Sequence, residues 1–246
     1  MKLIAQFTEK LVLRFSKKTR GFWLFLEKNI HNTWTQKIYI AKVIRKPFRK
    51  SQRFKKKIRI LSNKNIFELP TKRLMLRTIK QDMRLDEYLD WLNNPLVNRF
   101  LETRFKKYTE TSLRSYIANL SEDTYLLGIY TAKEATHIGN IKLEYTSKFH
   151  NTASIGLMIG NQKYWGKGFG TESIIGVTNF AFNRLMIRKI CAGCYEKNIA
   201  SKKAFEKAGY KIEGFLESQV KVGESQIEGV WQLGCHNQNQ IASSDE

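Results

Sequence analysis

The first 65 residues have almost no acid. They hold 2 carboxylates against 19 Lys/Arg, a net of +17, whereas residues 66–246 hold 20 against 24, a net of +4. The overall charge of +21 therefore belongs to an extension, and the main body has an ordinary balance. Other shortages exclude whole classes. No run of eighteen apolar residues occurs, so no membrane-spanning helix is expected, and the apolar stretch after Met1 is too short for a secretory signal. Three cysteines, an odd number, argue against a disulfide framework and fit a reducing, cytoplasmic setting. Cys191 and Cys194 form a C-x-x-C inside an expected strand, where side chains three apart point to opposite faces. No second ligand pair follows, and His31, His137, His150 and His236 show no ligand spacing, so no metal site is expected. No Ser/His/Asp or Cys/His constellation is present for a covalent intermediate, and no internal repeat is evident.

What is present divides the chain in three. Residues 1–65 set apolar clusters such as Phe22 to Leu26 among lysines and arginines, with no acid between Arg45 and Arg59. Such a segment reads as a weakly structured, solvated extension, or as one that binds a polyanion such as nucleic acid or an anionic membrane surface. A globular domain is expected over 66–236, followed by a polar tail at 237–246. Within the domain, Arg73–Arg77 reads as a strand. Gln81–Leu92 reads as a helix with Leu85, Tyr88, Leu89 and Leu92 on one face, stopped at Asn93-Asn-Pro95, and Thr109–Leu120 as a second helix. Strands follow at Tyr125–Tyr130, His137–Leu143 and Ala153–Ile159. The helix Thr171–Leu185 carries a stripe of Ile174, Thr178, Ala181 and Leu185, widened by Ile175 and Phe182. Then come a strand at Lys189–Tyr195, a short helix at Ser201–Ala208 ended by Gly209, and a hairpin of Gly214–Val222 and Ile227–Leu233. This order gives an α/β fold with a mixed sheet and helices on both faces.

The most informative stretch runs from Ile155 to Glu172. The apolar run Ile155–Ile159 is a buried strand, Gly166, Gly168 and Gly170 make a glycine-rich turn, and a long helix follows. Glycines let backbone approach a ligand, and a helix N-terminus offers free N–H groups, so together they suit a pyrophosphate. A nucleotide P-loop is excluded because no Gly-Lys-Ser/Thr closes the loop. A dinucleotide fingerprint is excluded because the glycine spacing does not fit G-x-G-x-x-G.

Four stretches in this order resemble the GNAT N-acetyltransferase superfamily, and most of all its branch of ribosomal-protein N-terminal and amino-sugar acetyltransferases. They are Leu89–Leu101, Ile138-Gly-Asn-Ile-Lys-Leu143, Ile155–Glu172 and Asn198–Tyr210. The resemblance covers residues 70–235 and implies an acyl-CoA N-acyltransferase fold, with a mostly antiparallel sheet of six or seven strands. It implies acetyl-CoA as co-substrate, with the pyrophosphate on the backbone of Trp165, Gly166, Lys167, Gly168, Phe169, Gly170 and Thr171. It also implies that the pantetheine arm pairs with the backbone of Leu157, Met158 and Ile159, and that Asn198 contacts CoA. The family's loop opens on Gln or Arg, where this chain has Trp165.

The same resemblance implies attack of a neutral amine on the thioester in a ternary complex. Ser201 is implied as the acid beside the leaving thiolate. Relatives often use a Tyr where this chain has Phe205, which shifts weight to Ser201, Tyr195 or Tyr210. Glu144, at a strand end, is a candidate base through water. Glu102 and Arg104 fall where the fold builds its acceptor pocket, and Arg104 could hold an anionic group. Asn198 and Ser201 could instead simply cap their helix. The acceptor would be an amino sugar, another small amine or a protein N-terminus, with the basic extension directed at a ribosome, nucleic acid or membrane, in a monomer or homodimer. A degenerate, acyl-CoA-sensing or polyanion-binding protein is the alternative.

Overall fold

Strands follow alternation and helices follow caps along most of this chain. A computed structural model describes residues 59–60, 67–223 and 225–238. The expectations for residues 1–58 and for the tail beyond 238 lie outside the described residues. The strands are β1 (Arg59–Ile60), β2 (Phe67–Pro70), β3 (Leu74–Thr78), β4 (Thr124–Thr131), β5 (His137–Ser147), β6 (Thr152–Ile159), β7 (Lys189–Tyr195), β8 (Lys211–Lys221) and β9 (Ile227–His236). The helices are α1 (Asp86–Asn93), α2 (Pro95–Asn98), α3 (Glu110–Ala118), α4 (Phe169–Arg184) and α5 (Ile199–Lys207), with 3₁₀ turns at Glu102–Phe105 and Gln162–Tyr164.

All nine strands join one sheet in the order β1-β2-β3-β4-β5-β6-β7-β9-β8. Every neighbouring pair is antiparallel except β6 and β7. A parallel pair needs a long crossover, and α4 supplies it. The sheet has two strands more than the largest number expected. β1 and β2 have only 2 and 4 residues, too short to stand out as strands in the sequence, and β2 ends at Pro70. Arg59 pairs with Glu68, so the sheet extends N-terminal to residue 66. At the other end, Asn237 is buried and its side-chain amide donates to the Phe182 and Ile187 carbonyls, so the first residue of the expected tail belongs to the domain.

The sheet has a core on each face. On one side Leu127, Ile129, Ile141, Leu143 and Ile155 pack with Ile174, Val177 and Ala181 of α4 and Phe205 of α5. On the other, Leu126 and Met158 pack with Tyr88, Trp91 and Leu92 of α1 and with Leu113 and Ile117 of α3. Covering both faces explains why Ile155–Ile159 is continuously apolar. Each fully buried aliphatic side chain contributes about 1.5–3 kcal/mol. The buried stripe of α4 is Ile174, Val177, Thr178 and Ala181, whereas Ile175, expected at its edge, is 40% exposed. Thr178 lies in this apolar layer because its hydroxyl bonds the Tyr210 phenol at 2.9 Å.

Local caps account for the remaining boundaries. Helix α1 starts at Asp86 and not at Gln81, because a turn at Lys80–Met83 comes first. The Asn93-Asn-Pro95 signal ends α1 as expected and then starts α2, with the Asn94 side chain accepting the Leu96 N–H and Pro95 in the first turn. Among the described residues no helix is long and apolar enough to cross a membrane.

Candidate active site

The site begins where a ladder stops. β6 and β7 pair only from Thr152/Lys189 to Ser154/Cys191. Beyond that point β7 continues along β9 as far as Tyr195/Val230. The segment Ile155–Ile159 then has β5 on one edge and, among the described residues, no strand on the other, leaving a row of backbone groups open to an extended partner. A cavity of about 540 Å³ occupies this wedge, walled by Leu157, Met158 and Ile159 on one side and by Asn198 and Ser201 of α5 on the other. Val97 and Phe100 close one end.

The glycine turn borders the same cavity. Gly166 and Gly168 have φ of 70° and 79°, the left-handed region that glycine enters without strain. Gly170 serves differently, since a Cβ there would meet the Leu157 side chain at 3.3 Å. Gly168 is the N-cap of α4 and supplies no side-chain cap. The N–H groups of Phe169, Gly170 and Thr171 are therefore left as first-turn donors. They face a cavity at the positive end of a sixteen-residue helix. Uncapped donors and an open strand edge, side by side, fit a pyrophosphate joined to an extended amide-bearing arm.

An ion pair unforeseen from the sequence holds this loop. Glu172, in the first turn of α4, accepts from the Thr71 hydroxyl at 2.6 Å, the Arg73 amide at 2.6 Å and the Arg73 Nε at 2.7 Å. Burial pushes its carboxyl up, but these bonds prevail and hold it below the usual carboxylate range. Arg73 also donates to the Lys167 carbonyl at 3.1 Å and lies over the Phe169 ring. The only sign of this in the sequence is an arginine opening a strand and a glutamate in a helix's first turn.

Most expected residues come together at the cavity. Leu157, Met158, Ile159, Trp165, Gly166, Gly168, Phe169, Gly170, Thr171, Asn198 and Ser201 all line it. Lys167 does not; its ammonium lies over the Tyr164 ring. Trp165 donates its indole N–H to the Ile159 carbonyl at 2.6 Å, so one acceptor of the open edge is already taken. Asn198 caps α5, its side-chain oxygen accepting the Ser201 N–H at 3.2 Å. Capping and lining the cavity thus occur in one residue. The Ser201 hydroxyl has no protein partner among the described residues.

The other candidates lie elsewhere. Tyr195 is buried behind Phe100, its hydroxyl donating to Glu102 and accepting from Arg104 at 3.0 Å. Burial and the Glu102 bond raise its pKa, with Arg104 opposing. Arg104 is a clamp: its Nη atoms donate to the Arg99 and Leu101 carbonyls, to Tyr195 and, at 2.7 Å, to the Lys221 carbonyl. The anionic group expected of it would have to displace those bonds. Tyr210 is buried against Phe205 and bonded to Thr178, and burial raises its pKa strongly, so it cannot serve as the acid. Glu144 is paired with Lys142 at 2.8 Å and bonded by Thr124. The Lys142 bond holds its carboxyl below the usual range, and it does not line the cavity. Glu144, expected as a base through water, thus lies apart from the residues that line the cavity.

Comparison with known proteins agrees with this geometry. A family model described as an acetyltransferase (GNAT) domain matches residues 73–211. A probable N-acetyltransferase, YjcK, of Bacillus subtilis is 34% identical over 134 residues, covering 54% of this chain and 68% of that protein. Among solved structures, a GNAT-family acetyltransferase from Bacillus anthracis shares the fold at a TM-score of 0.60 and 19% identity, over 69% of this chain and 98% of that one. A spermidine N-acetyltransferase from Vibrio cholerae, solved with CoA and spermine, does so at 0.59 and 18%, with the same coverage. With a family model over more than half its length, aligned on the strands and glycine turn that build the cavity, the chain belongs to the GNAT family of acetyltransferases.

Proposed function

We propose that the wedge between β6 and β7 binds acetyl-CoA and that the acetyl group passes directly to a primary amine in a ternary complex. The observation that carries this reading is the end of β6–β7 pairing at Ser154/Cys191, directly beside the uncapped N-terminus of α4. In this reading the N–H groups from Gly166 to Thr171 hold the pyrophosphate, with Arg73 fixing their orientation. The backbone of Leu157 and Met158 and the Ile159 amide pair with the pantetheine arm, while Trp165 occupies the Ile159 carbonyl.

The chemistry is a balanced exchange at one carbon. The amine nitrogen forms a bond to the thioester carbonyl carbon and the C–S bond breaks. One proton leaves the nitrogen and one reaches the sulfur. Ser201, lining the cavity with an unengaged hydroxyl, is the acid nearest to hand for the thiolate, and the Asn198 amide is a second donor. The amine proton passes to solvent. Domain boundaries follow the sheet, with the acetyltransferase unit running from β1 to Asn237.

Release of free thiol from acetyl-CoA, followed across a panel of amines, tests the reading. Turnover with at least one primary amine is expected. CoA binding by calorimetry without thiol release on any amine would replace transfer by acyl-CoA sensing.

A further inference from the structure

A second cavity adjoins the first, and its walls are basic. It measures about 650 Å³ and is bounded by the α1–α2 junction, Arg99, the 3₁₀ turn with Lys106 and Lys107 after it, and the β8–β9 hairpin at Val222 and Gly223. Arg99 lines both cavities, so a ligand in the second lies next to the cavity proposed for acetyl-CoA. Resting on the acetyltransferase reading, we infer that the acceptor is a small amine carrying a phosphate, with the phosphate held by Arg99, Lys106 and Lys107.

The inventory of the walls supports this. Four cations line the cavity and no carboxylate does so among the described residues. Arg104 is consumed as a clamp, as shown above. The amides of Asn93 and Asn98 are tied to backbone: Asn93 to Leu89, and in both directions to Tyr108; Asn98 to Leu92. The Arg99 guanidinium lies over the neighbouring Phe100 ring. Arg99, Lys106 and Lys107 enter none of the ion pairs found among the described residues. The nearby carboxylate, Glu102, accepts from Tyr195.

Arg99, Lys106 and Lys107 are exposed, line one cavity and enter no ion pair among the described residues; together they disfavour a polycation there, and a doubly charged phosphate would find three cations to pair with. Arginine supplies a planar fork and the lysines point charges, a combination suited to a phosphate. A polyamine such as spermidine would meet no described carboxylate on this wall.

The test compares glucosamine 6-phosphate, glucosamine and spermidine, first as ligands of the CoA-loaded full chain by calorimetry, then as acceptors. Glucosamine 6-phosphate should bind and turn over at least about tenfold better than glucosamine, as expected for one or two charge-assisted contacts. Inorganic phosphate should compete with it. Lys106→Glu with Lys107→Glu should bring the two sugars to within about twofold of each other, with CoA affinity as the folding control. Equal binding of the two sugars, preference for spermidine, or an unchanged ratio in the double variant would overturn the inference. If no amine is acetylated, the transferase reading fails separately, and the calorimetric arm still decides the phosphate site.

Discussion

The two cavities meet at Arg99 and present different chemistry. The first offers main-chain groups: the open edge of β6 and the uncapped first turn of α4, with side chains serving mostly as walls. The second offers side-chain charge, at the ends of flexible stems, over a frame held by Arg104. Backbone donors are fixed by the fold and tolerate almost any side chain provided the glycines remain. A charged wall is set by the particular residues and can change its preference without altering the fold. In the proposed reading, the first suits a constant acyl donor and the second an acceptor specific to this chain.

That contrast can be broken from either side. The largest effect is expected at Gly168, where any side chain is strained at φ 79° and a long one would enter the anion cradle. Gly168→Arg should weaken CoA binding by about a hundredfold or more while the domain stays folded. An unchanged calorimetric affinity would mean that the loop does not hold the pyrophosphate. Arg104→Ala should act on the opposite cavity. It releases the Lys221 carbonyl and Tyr195 together, and should raise KM for the amine about tenfold while leaving CoA affinity within about twofold. Equal losses for both ligands would show that the cavities form one mechanical unit.

Arg73→Ala should affect the donor side alone. Losing the Glu172 and Lys167 contacts loosens the glycine turn, and KM for acetyl-CoA should rise about five- to tenfold with kcat nearly constant. A fall in kcat at constant KM would instead place Arg73 in the chemical step. The smallest effect is expected for Glu144→Gln, since that carboxylate is paired with Lys142 away from both cavities. The rate should stay within about twofold at every pH tested. A loss of the acidic limb of the pH profile would restore Glu144 as the base.

Legibility followed the range of the interactions. Gly166, Gly168 and Gly170 announce a turn because the constraint lies in their own backbone, and Asn198 could be read as a cap because its partner is three residues away. The apolar run Ile155–Ile159 signals burial on two faces but not that one edge lies open. That depends on where the ladder with β7, a strand thirty residues further on, stops. Arg73 and Glu172 are 99 residues apart, and Arg104 and Lys221 117. No local pattern marks such pairs. Tyr195 was a reasonable acid by residue type, but its hydroxyl is engaged by Glu102 and Arg104, which lie more than ninety residues away. Ile175 and Val177 are equally apolar on paper, and only packing against the sheet selected Val177.

The sequence by itself determined the order of elements, the glycine turn with its free helix N-terminus, and the family, because each depends on residues close together in the chain. Only the tertiary structure decided which strand edge stays open, how Arg73 anchors the turn, and that the cations near residues 99–107 line a cavity adjoining the first. Those features depend on strands and side chains brought together from distant segments, whose contacts form only when the core closes.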